Sequence, residues 1–124
     1  MINKKENILK DKSYAFSLRI IKAYKFLNKK NCEFALSNQL IRNGTAIGAL
    51  IREAEYAQSI ADFINKMSVA LKETNETEYW LTLLKDSGYI TDNMFNSIVE
   101  DCREILKLLI SSIKTAKSKS RKTK

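Results

Sequence analysis

The sequence predicts an all-α protein folded as an antiparallel, up-down-up-down four-helix bundle. Three observations predict it. Pro is absent and Gly occurs only three times in 124 residues, so turn punctuation is scarce, which favours a few long helices over many short strands. Apolar residues recur at spacings of three and four through four long segments. The stretches between those segments are short, which makes neighbouring helices antiparallel. A hydrophobic content of 44% is enough to build one domain's core at this length.

The first helix is expected from about Ser13 to Lys29, capped by Asp11 or Ser13. Tyr14, Leu18 and Ile21 form one apolar row; Phe16, Ile20, Ala23, Tyr24 and Leu27 form another. Lys12, Arg19, Lys22, Lys25, Lys29 and Lys30 group on the remaining arc. The second helix is expected from about Phe34 to Ala57, with Leu36, Leu40, Ile47, Ile51 and Ala54 as its stripe. Gly44 and Gly48 flank that stripe. A helical Gly costs roughly 1 kcal/mol against Ala, so two of them need a reason. Close packing of a neighbouring helix comes first, a kink near Gly44 second.

The third helix is expected from Ile60 to Asp86, capped by Ser59 and ended by Gly88 in a left-handed conformation. Its stripe is Ile60, Phe63, Ile64, Met67, Ala70, Leu71, Thr74, Leu81 and Leu84. The fourth starts after Thr91, with Phe95, Ile98, Cys102, Ile105, Leu106, Leu109 and Ile113 inward, and is expected to fray within Lys114–Lys124. The chain thus divides into a basic N-terminal segment (1–12), the bundle (13–115) and a basic, disordered C-terminal tail (116–124).

Charge is distributed unevenly. The net formal charge is +8, made of +7 in residues 1–30, −5 in residues 31–113 and +6 in residues 114–124. In an antiparallel bundle the start of the first helix and the end of the fourth lie at one pole. Lys4, Lys5, Lys10 and Lys12 should therefore meet Lys114, Lys117, Lys119, Arg121, Lys122 and Lys124, with Arg19 and Lys22 further along the first helix. Such clusters attract phosphate backbones by counterion release, without sequence preference; runs of like charge also serve as plain solubilising tails. Convergence of two segments favours RNA or DNA contact.

Other classes of activity find little support. His is absent, which excludes His-based triads and Glu-x-x-His di-iron sites. Cys32 and Cys102 stand too far apart for a metal-ligand spacing and read as free thiols. No catalytic residue, metal or cofactor is expected. No apolar run reaches the roughly 18 residues of a membrane span, no apolar core follows the basic N-terminus, and a cytoplasmic location without membrane contact is expected. Glu73 and Glu76, without His or Cys, make at best a weak hard-cation site and read better as a charged face.

Glu78 falls within the apolar stripe and should pair, buried, with Arg42 or Arg103. Trp80 falls off the stripe beside Val69, Glu73, Glu76 and Leu83, a mixed face that suggests an oligomer interface or, alternatively, a tryptophan that covers the edge of the bundle.

Leu36-Ser37-Asn38-Gln39-Leu40-Ile41-Arg42, Gly44-Thr45, Ile47-Gly48 and Ile51-Arg52-Glu53-Ala54, followed by Ser59, Asp62-Phe63, Lys66, Ala70-Leu71-Lys72-Glu73, Glu76-Thr77 and Tyr79-Trp80-Leu81, resemble the four-helix bundle protein family first noticed in intervening sequences of bacterial large-subunit ribosomal RNA genes. The resemblance runs from about Tyr14 to about Thr115. It implies a homo-oligomeric ring, often of five subunits, and no agreed catalytic residue. It also suggests a distant relationship to the basic, nucleic-acid-binding pentameric accessory proteins of diversity-generating retroelements. The expected function is that of a non-enzymatic, homopentameric RNA- or DNA-binding accessory protein. A ring that scaffolds a protein partner is the alternative.

Overall fold

The computed structural model describes residues 4–30 and 34–122. They form four helices: α1 (Lys4–Lys30), α2 (Ala35–Glu55), α3 (Ile60–Asp86) and α4 (Asp92–Lys122). Among the described residues there is no strand. Each helix packs on its sequence neighbours, and α1 closes the ring against α4 along the sparsest of the four seams.

Cross-helix contacts fix the directions. Lys5, Lys12 and Arg19 of α1 reach Ser111, Glu104 and Asp101 of α4 in descending order. Ile20 lies against Gly44, Ser13 and Ser17 against Gly48, and Lys10 against Glu55. Both neighbours of α1 therefore run antiparallel to it.

The helix ends follow local chemistry. Ser59 Oγ accepts the amide of Asp62 at 3.0 Å, and Thr91 Oγ1 accepts the amide of Met94 at 3.1 Å, each satisfying an otherwise orphaned donor of a first turn. Gly88 takes φ +86° just past the end of α3, where a side chain would be strained. α2 has no side-chain cap at Phe34.

Two helices are longer than their sequence patterns suggest. α1 begins at Lys4 rather than Ser13, because Leu9 is fully buried and continues the Phe16–Ile20–Leu27 row; Ser13 is an interior residue, 1% exposed. α4 runs to Lys122, with Ile113 and Ala116 both buried. The basic end of α4 is thus helical where fraying was expected.

The core collects Phe16 and Ile20 from α1, Leu40, Ile47 and Ile51 from α2, Met67, Leu81 and Leu84 from α3, and Ile98, Ile105 and Leu109 from α4. The Tyr14–Leu18–Ile21 row does not belong to it. Tyr14 is 68% and Leu18 52% exposed, because that row points away from Phe16 and Ile20 on the opposite side of α1. At Gly44 Ile20 of α1 packs directly on α2: a Cβ there would stand 2.8 Å from Cγ1 and Cγ2 of Ile20. At Gly48 a Cβ would meet Ser17 Oγ at 3.4 Å, an ordinary contact. α2 passes both glycines as one continuous helix.

Candidate functional site

The antiparallel order brings the start of α1, the α2–α3 turn and the end of α4 to one pole. Lys5 Nζ donates to Ser111 Oγ at 2.6 Å, tying the first turn of α1 to α4. A cavity of about 290 Å³ beside this bond is lined by Lys5, Glu6, Glu55, Phe63, Ser112 and Lys119, among others. The pole mixes signs, since Glu6 and Glu55 stand among the lysines.

The cations predicted from sequence divide into two groups. One group is spent inside the chain. Lys10 pairs with Glu55 at 2.9 Å, and this partner holds the Glu55 carboxyl below the usual range. Lys12 pairs with Glu104, which raises the lysine pKa. Arg19 donates to Asp101 at 2.6 Å and to the Ser97 side chain and carbonyl. With Lys5–Ser111, the Lys12 and Arg19 bonds form a polar lacing along the α1–α4 seam, the sparsest of the four, while Lys10–Glu55 ties α1 to α2. The other group, Lys4, Lys22, Lys114, Lys117 and Arg121, is exposed, with no ion-pair partner among the described residues. Lys22 lies about 27 Å from Lys4 along α1 at 1.5 Å per residue, so it is not part of the pole. Lys119 has a partner of its own. The Lys122 side chain and Lys124 lie outside the described residues, as does Cys32.

Glu78 pairs with Arg103, whose Nε and Nη2 both donate to Oε2 at 3.2 Å. The pair is not buried: the side chains are 29% and 55% exposed. The helical angle of Glu78 carries it to the α3–α4 edge rather than to the bundle axis. Arg42 is exposed on α2 and takes no part.

Trp80 lies half-buried at the edge of the α2–α3 seam. Its Nε1 donates to Asn43 Oδ1 at 2.8 Å, and Asn43 Nδ2 donates to Glu73 Oε2 at 2.5 Å and to Glu76 Oε2 at 2.9 Å. Sequence reasoning missed Asn43 because a single amide on a helix gives no periodic signal. Only this amide orientation satisfies every partner, since indole is donor-only and carboxylates only accept. Val69 is exposed and Leu83 half-buried on the neighbouring outer face of α3. Cys102 is fully buried against the Thr74 carbonyl, and burial pushes its thiol pKa up to about 12. Among the described residues no group of three His, Cys, Asp or Glu side chains is placed to hold a metal ion, and no helix is long and apolar enough to cross a membrane.

Comparison with known proteins agrees with this architecture. A crystal structure of a protein of unknown function from the S23 ribosomal protein family of Bacteroides thetaiotaomicron is 59% identical, with a TM-score of 0.88 over 89% of this chain and 98% of that one. No functionally curated protein matches. The model of the 23S rRNA-intervening sequence protein family matches residues 5–111, from the first turn of α1 to the Ser111 that Lys5 holds, and the chain belongs to that family.

Proposed function

We propose that this protein is a non-enzymatic accessory protein that binds RNA or DNA through the pole where α1 begins and α4 ends, assembled as a homo-oligomeric, pentameric ring in the cytoplasm. One observation carries the reading: the Lys5–Ser111 bond sets two basic chain ends side by side, and Lys4, Lys114, Lys117 and Arg121 are exposed there. Those cations have no carboxylate to answer, so phosphate is the natural counter-charge. Repetition around a ring multiplies weak contacts by avidity.

Assembly is supported by the outer faces of the bundle. Tyr14 and Leu18 on α1 and Tyr79 on α3 are more than half exposed, which is much apolar surface for a small monomer. Two different faces joined head to tail close a ring when the rotation between subunits closes on itself. Val69, Tyr79 and Leu83 supply one face, and Tyr14 and Leu18 the other.

Charge reversal tests the nucleic-acid reading better than truncation, because removing residues 114–124 would also remove the buried Ala116. Lys117→Glu with Arg121→Glu should abolish binding of a labelled oligonucleotide at low salt while helicity and assembly mass stay unchanged. Absence of binding by the unaltered protein would instead support a scaffold for a protein partner. Light scattering should give several times the 14.3 kDa chain mass; a monomer at micromolar concentration would sink the ring.

A further inference from the structure

α4 carries a second pattern that reaches well beyond the pole. Arg103, Lys107, Ile110, Lys114, Lys117 and Arg121 follow one another at steps of four, three, four, three and four, and all six are exposed. At about 100° per residue they fall within an arc of about 80°, on a straight row about 27 Å long. Arg103, at the top of the row, answers Glu78. Lys107, Lys114, Lys117 and Arg121 have no hydrogen-bond or ion-pair partner among the described residues. Glu100 and Glu104 stand beside the top of the row, and no acidic residue follows Glu104 to the end of the chain. The adjacent bank of α3 is neutral as well. From Glu78 toward the start of α3, the positions on the same face are Asn75, Leu71, Ser68 and Ile64.

We infer that this row is a track for the sugar-phosphate backbone of double-stranded nucleic acid, read lengthwise and without base contacts. This rests on the nucleic-acid reading above and deepens it. Single strands are held by basic grooves in which aromatic rings stack on bases. The row has no aromatic: the one apolar member is Ile110, and the only aromatic of α4, Phe95, is buried under Lys85. A duplex carries one charge per about 1.7 Å of axis and releases more counterion per contact than a single strand. A stiff rod is also the partner along which a rigid, straight row can lie lengthwise, spanning roughly eight base pairs at about 3.4 Å each and meeting the phosphates of both strands where they cross it. Four unanswered cations give a salt slope of about −3.6, or about a 150-fold loss of affinity between 50 and 200 mM salt.

Ile110 supplies the test, because it is the one uncharged position in the row. Ile110→Lys adds a fifth unanswered cation in register. Thr115→Lys adds the same charge about 120° away around α4, at another exposed position. Binding is measured by fluorescence anisotropy on the full chain, with a labelled duplex RNA, a duplex DNA and a single-stranded RNA, each roughly 20 nucleotides long. Both duplexes should outcompete the single strand, the tighter of the two showing which duplex the track fits. Ile110→Lys should bind up to about 15-fold tighter at 50 mM salt, with a slope steeper by about 0.9. Thr115→Lys should change little, and Lys107→Glu, three turns from the pole, should weaken binding. Equal gains from Ile110→Lys and Thr115→Lys, indifference to Lys107→Glu, or preference for the single strand would overturn the track. Each of those results leaves nucleic-acid binding at the pole standing. Loss of all binding in the unaltered protein would remove both.

Discussion

Asn43 and Trp80 are joined across the α2–α3 seam by a 2.8 Å hydrogen bond from the indole N–H to the amide oxygen. The amide nitrogen of the same Asn43, only 5% exposed, reaches Glu73 and Glu76. One side chain therefore holds a tryptophan and two neighbouring carboxylates.

Asn43→Ala removes three hydrogen bonds at once and leaves Glu73 and Glu76 facing each other with no shared donor. The expected cost is about 2–3 kcal/mol, since the groups left behind are partly desolvated. Asn43→Asp should be worse at neutral pH, where it adds a third carboxylate. Its deficit against the unaltered protein should shrink as pH falls through the carboxylate range and the repulsion is neutralised. Urea unfolding followed by the fluorescence of Trp80, the single tryptophan, measures both effects. A change below about 0.5 kcal/mol for Asn43→Ala would mean that water replaces the amide without loss.

The two glycines of α2 should respond in opposite directions. At Gly44 an added methyl would overlap the branched, fully buried Ile20. Overpacking of about 1–3 kcal/mol outweighs a helix-propensity gain of about 1 kcal/mol, so Gly44→Ala should destabilise the fold. At Gly48 the methyl finds only ordinary contacts, and Gly48→Ala should stabilise by about 0.5–1 kcal/mol. Thermal unfolding of the two variants separates them by sign.

Glu78→Ala should cost only about 0.2–1 kcal/mol, the usual worth of an exposed ion pair. A buried pair in the core would instead lose about 3–5 kcal/mol on removal of one partner. Chemical denaturation with and without high salt distinguishes the two, because salt screens only the exposed pair appreciably.

Cys102 should resist alkylation in the folded protein. Its thiol pKa stands near 12, so the thiolate is scarce at pH 8 and the sulfur is out of reach. Iodoacetamide should modify it at the rate of global unfolding and not faster. Rapid modification without denaturant would show that the α3–α4 seam opens locally.

Much of the fold was legible in the residues themselves. Helical periodicity marked α2, α3 and the start of α4 within a few residues, and Ser59, Thr91 and Gly88 announced ends that the structure shows them making. These signals are local: a cap or a spacing of three and four depends on the chain within a turn or two. The charge asymmetry was equally plain, as was the demand of a mid-helix glycine for a close neighbour. Sequence could not say that the neighbour of Gly44 is Ile20.

Tertiary structure decided everything that depends on which helix faces which. Tyr14–Leu18 and Phe16–Ile20 are equivalent as helical rows, and only the positions of α2 and α4 make the second one core. The same holds for the lysines. In the sequence Lys10, Lys12 and Arg19 read as free charge, but Glu55, Glu104 and Asp101 come from helices far away in sequence to meet them. Glu78 and Arg103 moved from core to edge for a similar reason, since a few tens of degrees of helix rotation separates the two environments. Composition and periodicity fix what each helix can offer; the packing angle fixes which of its faces remains to be offered to anything else.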